Sequence, residues 1–150
     1  MNKKERKKFT KETIKLLFEA KDIRSGVLIL HLSLEQLMNR VIIQTFKKPD
    51  KLLNKSFSSK LDVLYSLGID EVLIEDIRCI NKIRNIFAHD LFSSKKIPKD
   101  KENKIRNHVR DIVERNVDDK GRRNKLLNSE ITIMLSGVGQ SIIIKLLASI

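Results

Sequence analysis

The sequence contains few of the residues that bend a chain or cross-link it. Two prolines and five glycines in 150 residues are too few for the turns of a β-sandwich or barrel, and this favours long helices. The one cysteine, Cys79, excludes an intrachain disulfide framework and any zinc site built from several cysteines. No tryptophan and one tyrosine, Tyr65, leave few side chains that could stack on bases. The apolar fraction of 41% nonetheless excludes a wholly disordered chain.

Basic side chains are plentiful, and they fall into two blocks. The formal charge is +12, from 31 Lys and Arg against 19 Asp and Glu. The net charge is +5 over 1–24 and +6 over 95–125. It is only +1 over 25–94 and zero over 126–150. This distribution is compatible with a basic rim for nucleic acid around a neutral centre. AT-rich coding also produces an excess of Lys, Ile and Asn, so the charge alone assigns no function.

Apolar periodicity predicts an all-α fold of about five to six helices. Residues 1–9 are expected to form a flexible basic arm or a frayed helix start, ahead of a single helical domain at 10–150 whose first helix is capped by Thr10. Further helices are predicted at 22–46, 56–68, 70–89, 101–116 and 124–150, and the last of them is long and very apolar.

The apolar segment 131–150 is close to the length of a membrane span. Gln140 and Lys145 interrupt it, and a lysine within a span is costly in lipid. A buried core or oligomer helix is therefore the preferred interpretation, and membrane association is a third hypothesis for the whole protein. The basic N-terminal residues lead into no apolar signal-peptide segment, and with the single cysteine this favours the cytoplasm.

Residues suited to catalysis stand together at the end of the fourth predicted helix, in the sequence RNIFAH. On a helical wheel Arg84 falls within the apolar arc, where a guanidinium is costly unless it meets an anion. Asn85 and His89 are four residues apart, so they share a face outside that arc. A structural interpretation stays open, in which Arg84 pairs with Glu35 or Asp76 and His89 caps the helix.

An Arg, a polar residue and a His after four intervening positions resemble the signature of the HEPN superfamily. These are small α-helical domains, many of which are metal-independent ribonucleases. The run FSSKLDVLYSLGIDEVLIEDIRCINKIRNIFAHD is similar to one branch, the mannitol-operon-repressor (MltR)-like proteins. The segment LILHLSLEQLMNRVI fits the preceding helix of that branch, so the motif core is placed at 22–91.

The resemblance implies a homodimer that cleaves RNA without a metal or any other cofactor. Arg84 would stabilise the negative charge of the transition state, and His89 would act as acid or base. Asn85 would assist them, and Glu35 and Asp90 would be supporting neighbours. Weaker contacts with nucleic acid are expected from four basic residues, Lys95, Lys96, Arg106 and Arg110.

The alternative is a non-catalytic, MltR-like transcriptional regulator or protein-interaction module. For the ribonuclease, the resemblance implies a toxin or a role in defence against phage, and with it a neutralising antitoxin or a regulatory protein as a partner beside RNA. The sequence contains no helix-turn-helix signature, so it does not indicate direct recognition of a DNA sequence. The regulator would therefore act through protein contacts.

No sequence motif predicts a metal site, since the chain has no HExxH motif, carboxylate cluster or Cys/His array. His31 and Glu35 are four residues apart and are interpreted as an ordinary surface pair. His108 lies on a basic helix and is expected to contact phosphates rather than to cleave them.

Overall fold

The computed structural model describes residues 1–20, 22–88 and 97–150, and within them it has eight helices and no strand. The all-α prediction is confirmed, and the helices are more numerous than the five to six expected. In chain order they are α1 (Lys3–Glu19), α2 (Ile23–Thr45), α3 (Asp50–Leu53), α4 (Phe57–Ser66), α5 (Glu71–Ala88), α6 (Lys99–Asn116), α7 (Lys120–Leu127) and α8 (Ile131–Ser149).

Local side-chain chemistry sets the starts of α2, α4 and α5 where the sequence predicted them. Asp22, Ser56 and Asp70 each accept a hydrogen bond from the backbone N–H three residues further along. Gly68 follows α4 with a φ of +86°, a left-handed conformation that glycine adopts without strain. These boundaries follow from a few neighbouring residues, which is why the sequence was enough to place them.

The start of α1 corrects the prediction of an N-terminal arm. The helix begins at Lys3 rather than after Thr10, so residues 3–9 form its first half. Asn2 and Glu5 form a capping box, in which each side chain accepts a hydrogen bond from the other residue's backbone N–H. Arg6 ties this half to the end of the chain, since its guanidinium donates to the carbonyl of Leu147 at 2.8 Å.

The predicted final helix at 124–150 is in fact two helices. α7 ends at Leu127 and α8 begins at Ile131. α7 is polar and contributes no buried residue, whereas α8 is strongly apolar. A continuous helix could not place both stretches in their preferred surroundings, and the turn between them lets α8 enter the core.

The core lies between α2, α4, α5, α6 and α8, with α1 packed against α2 and α8. Fully buried side chains come from all five central helices and include Leu34, Leu37, Met38, Leu61, Ile77, Ile80, Ile83, Ile105, Ile143 and Leu146. The preferred interpretation of 131–150 as a buried helix is thus confirmed. In the described chain one helix, α2, has the length and composition of a membrane span, a test that buried core helices also pass.

Candidate functional site

The carboxyl end of α5 exposes both Arg84 and Asn85 to solvent. Arg84 Nη1 donates a hydrogen bond to Asn85 Oδ1 at 3.2 Å. Among the residues that the structure describes, no carboxylate forms an ion pair with Arg84, so neither predicted pairing, with Glu35 or with Asp76, is present. Within the described residues, the one hydrogen bond recorded for the guanidinium is therefore to a neutral amide.

The helical wheel placed Arg84 within the apolar arc of α5, directed at a core or an interface, and the structure exposes its side chain. Ile83 and Phe87 on the same turns are buried, but Arg84 lines an open cleft between the end of α5 and the start of α2. A helical wheel shows which residues share a face, but it does not show where the neighbouring helix stops covering that face. Here Phe87 in the last turn of α5 is still covered, whereas Arg84 is not.

This cleft, which we call the Arg84 cleft, has a volume of about 290 Å³. Its walls combine two arginines with apolar side chains, and they comprise Arg24, Ser25, Val27, Leu28, Arg84, Phe87 and Ala88. The Arg24 guanidinium lies over the Phe87 ring, 6.0 Å from the ring centroid. Such a lining suits a ligand that joins an anionic group to an apolar or aromatic body.

His89 and Asp90 follow Ala88 directly in the sequence. Both lie outside the residues that the structure describes, as do Lys95 and Lys96. The predicted roles of these four residues therefore stay predictions.

His31 on α2 is buried, which contradicts its interpretation as part of a surface pair. Its Nε2 lies 3.1 Å from Asn81 Oδ1, and its ring stacks on Phe57 at a centroid distance of 4.1 Å. Burial lowers the pKa of His31 and the charge of Arg84 lowers it further, while the hydrogen bond to Asn81 and the charge of Glu35 oppose them. The imidazole is therefore neutral at pH 7.

Glu35 is held by Lys60 of α4 rather than by Arg84. The Lys60 Nζ donates to Glu35 Oε1 at 2.8 Å, and the Lys60 side chain is only 4% exposed. Glu35 and Arg84 both act on the pKa of His31, so His31 lies within electrostatic reach of each. The structure thus brings Glu35, His31 and Arg84 into one region without a direct contact between the two charged residues.

The predicted nucleic-acid residues of α6 differ in their surroundings. Arg106 forms an ion pair with Glu102 one turn earlier, with nitrogen and oxygen 3.1 Å apart. Arg110 is exposed, whereas His108 is half-buried towards α5. The expected contacts of Arg106, Arg110 and His108 with phosphate stay predictions.

No protein-family model, curated protein or solved structure matches this chain. The resemblance to the HEPN superfamily therefore depends on the sequence pattern of α2, α4 and α5 alone.

Sequence analysis missed a buried polar network between α5 and α6. Asp76 is fully buried, and its two carboxylate oxygens accept from Arg115 Nε at 2.8 Å and from Asn116 Nδ2 at 2.6 Å. Burial raises the pKa of Asp76, and the hydrogen bonds from Asn116 and Arg115 act against that rise. Lys145 of α8 donates to Asn116 Oδ1, so the network joins three helices.

A second group missed by sequence analysis lies beside that network. The sulfur of Cys79, a ring nitrogen of His108 and a carboxylate oxygen of Asp111 all lie within 4.8 Å of one another. Burial lowers the pKa of His108, as does the charge of Lys82, and Asp111 opposes them. The three-residue spacing of His108 and Asp111 was a visible signal, but only the packing of α6 on α5 brings Cys79 to them.

Proposed function

We propose that the protein is a metal-independent endoribonuclease of the HEPN type, with Arg84 as its phosphate-binding residue. The observation that carries the proposal is the state of Arg84. It is exposed at an open cleft, and its hydrogen-bond partner in the described chain is the neutral amide of Asn85 rather than a carboxylate. A guanidinium in this state can give two parallel hydrogen bonds to a phosphate.

The reaction requires a base, an acid and a group that stabilises negative charge. The base removes the proton from a ribose 2′-hydroxyl, whose oxygen attacks the adjacent phosphorus. The bond from phosphorus to the 5′-oxygen breaks, the acid protonates that oxygen, and a 2′,3′-cyclic phosphate is left. Arg84 stabilises the charge on the non-bridging oxygens. His89, five residues after Arg84, supplies the acid or the base, and Asn85 orients it or the phosphate.

His31 is not assigned to proton transfer in this proposal. Its ring is enclosed by Phe57 and bonded to Asn81, so a ribose hydroxyl could not reach it. The charge of Arg84 contributes to the lowered pKa of His31, so the two side chains interact electrostatically.

The proposal includes a homodimer, as in the family that the sequence resembles. Leu28 and Leu32 lie one turn apart on α2 beside the Arg84 cleft, and they are 49% and 54% exposed. A second copy that covered these leucines would bring its own Arg84 and His89 to the same place. The basic residues of α6, with Arg110 among them, would then hold the RNA backbone in a salt-dependent way.

The test is cleavage of a mixed RNA substrate by purified protein in excess EDTA. We expect the wild type to cleave, and Arg84→Ala and His89→Ala each to lose at least about 100-fold in rate. Arg78→Ala is the matched control, because Arg78 lies on the same helix but is already paired with Asp62 and Glu75. Intact RNA with the wild type, or equal cleavage by His89→Ala, would show the proposal to be wrong.

The exposed pair Leu28 and Leu32 also favours a second candidate, a non-catalytic regulator that binds a protein through this face of α2. In that case RNA stays intact, and a partner protein co-purifies with the wild type and with His89→Ala alike. The variant Leu28→Glu should then lose the partner while its helical content is unchanged.

A further inference from the structure

The packing of α5 against α6 brings together three side chains of the types that ligate metal ions. Cys79 comes from α5, and His108 and Asp111 come from one face of α6. Their ligand atoms lie within 4.8 Å of one another, although Cys79 and His108 are far apart in the sequence. At such distances a thiolate, an imidazole and a carboxylate can together bind one borderline-soft divalent cation.

We propose that Cys79, His108 and Asp111 bind a single Zn²⁺ ion that links α5 to α6. Zinc bond lengths of 2.0–2.3 Å with tetrahedral angles place ligand atoms ~3.5 Å apart. The present separations exceed this by about 1.3 Å at most, a difference of the size that side-chain rotations produce. A water molecule would complete the tetrahedron.

The exposure of the three ligands increases from Cys79 through His108 to Asp111, which lets an ion enter from one side. Cys79 is 5% exposed, His108 is half-buried and Asp111 is exposed, so the site opens to solvent on its carboxylate side. A bulky substrate could not reach the sulfur, which argues against Cys79 as a nucleophile. A bare ion can enter past Asp111 and still be held within the protein.

The charges of the three ligands themselves match a divalent ion. A thiolate and a carboxylate together cancel the two positive charges of Zn²⁺, and the imidazole adds none. Arg115 Nη2 donates to Cys79 Sγ at 3.4 Å, and this contact can persist as a hydrogen bond to the zinc-bound thiolate. Hard ions such as Mg²⁺ and Ca²⁺ prefer sites made of oxygen ligands, so they should not compete.

This site does not depend on the proposed ribonuclease activity. Its ligands lie between α5 and α6, whereas the Arg84 cleft lies between α5 and α2. Removing the metal with EDTA should therefore leave RNA cleavage in place, and a catalytically inactive protein should still bind zinc.

The experiment is a titration of tag-free, reduced full-length protein with Co²⁺, followed by displacement with Zn²⁺. Co²⁺ bound by a thiolate gives a sulfur-to-metal charge-transfer absorption that carboxylate or imidazole sites do not give. We expect this absorption to saturate at one equivalent and to disappear when Zn²⁺ is added. Cys79→Ser should abolish it.

The substitutions His108→Ala and Asp111→Asn should each weaken binding at least ~10-fold. Glu114→Gln is the matched control, because it removes an exposed carboxylate one turn further along α6, and it should leave the affinity unchanged. Asp111 is exposed, so its variant tests the site even if the buried Cys79→Ser variant does not fold. The absence of the charge-transfer absorption in the wild type, or an unchanged affinity in Asp111→Asn, would overturn the proposal.

Discussion

Two arginines near α5 both reach solvent, but they meet different partners. Arg115, on α6, binds the fully buried carboxylate of Asp76 at 2.8 Å and also contacts Cys79. Arg84, at the end of α5, is exposed and bonds to the neutral side chain of Asn85. The first arginine neutralises a charge that the fold has buried, whereas the second pairs with no carboxylate among the residues that the structure describes. The same side chain thus serves stability in one place and binding in the other.

Removing Arg115 should have the largest effect on stability. Arg115→Ala leaves the carboxylate of Asp76 buried without its ion-pair partner, and we expect a loss of about 3 kcal/mol in the free energy of unfolding. Chemical denaturation followed by circular dichroism measures this. The double variant Asp76→Asn with Arg115→Ala should recover part of the loss, because the uncompensated charge is gone. A single-variant loss below about 0.5 kcal/mol would contradict the assignment.

Lys60 should have the next largest effect. Lys60→Ala removes the partner of Glu35 together with a buried aliphatic chain, and we expect a loss of about 2 kcal/mol. The loss is smaller than for Arg115 because the Glu35 side chain is 31% exposed and can be hydrated. Thermal unfolding provides the comparison, with Glu35→Gln as the control for the charge alone. An effect larger than that of Arg115→Ala would reverse the proposed order.

Acidification should reveal the link between His31 and Arg84. The folded-state pKa of His31 lies below the ordinary value of 6.5, so the unfolded chain takes up a proton first as the pH falls. The free energy of unfolding should therefore decline as the pH drops from 6.5 through the lower folded-state pKa. It should decline less steeply in Arg84→Ala, because the charge of Arg84 contributes to the shift.

The pKa of His108 is lowered as well, so both histidines contribute to the pH dependence of the wild-type free energy of unfolding. The difference between the wild type and His31→Gln isolates the contribution of His31. A wild type and an Arg84→Ala variant with equal pH slopes would show that the two residues do not interact.

The smallest effect on stability is expected for Arg84 itself. At neutral pH Arg84→Ala should change the free energy of unfolding by no more than about 0.5 kcal/mol, because the side chain is exposed and its hydrogen-bond partner is an exposed amide. Chemical denaturation beside Arg115→Ala measures the contrast between the two arginines. A loss comparable with that of Arg115→Ala would mean that Arg84 has a structural role.

Local features of the fold could be predicted from the sequence. The caps at Asp22, Ser56 and Asp70 and the turn at Gly68 depend on residues within a few positions of each other, and all four are present. The division of 124–150 into two helices could not be predicted from apolar content, because it depends on which stretch finds room in the core.

Contacts between different helices could not be predicted either, because they depend on how the helices pack. The pairing of Asp76 with Arg115 joins residues on different helices, and no spacing within either helix indicates it. The group of Cys79, His108 and Asp111 likewise exists only because α5 and α6 pack together. For Arg84 the helical wheel gave the correct face, but the exposure of that face depends on where α2 begins.

The most direct test of this account compares Arg84→Ala and Arg115→Ala for both stability and RNA cleavage in EDTA. The account predicts that Arg84→Ala unfolds like the wild type but has lost cleavage, whereas Arg115→Ala is strongly destabilised and retains wild-type cleavage per folded molecule. Cleavage by Arg84→Ala at the wild-type rate would contradict the central claim that this exposed arginine serves the reaction.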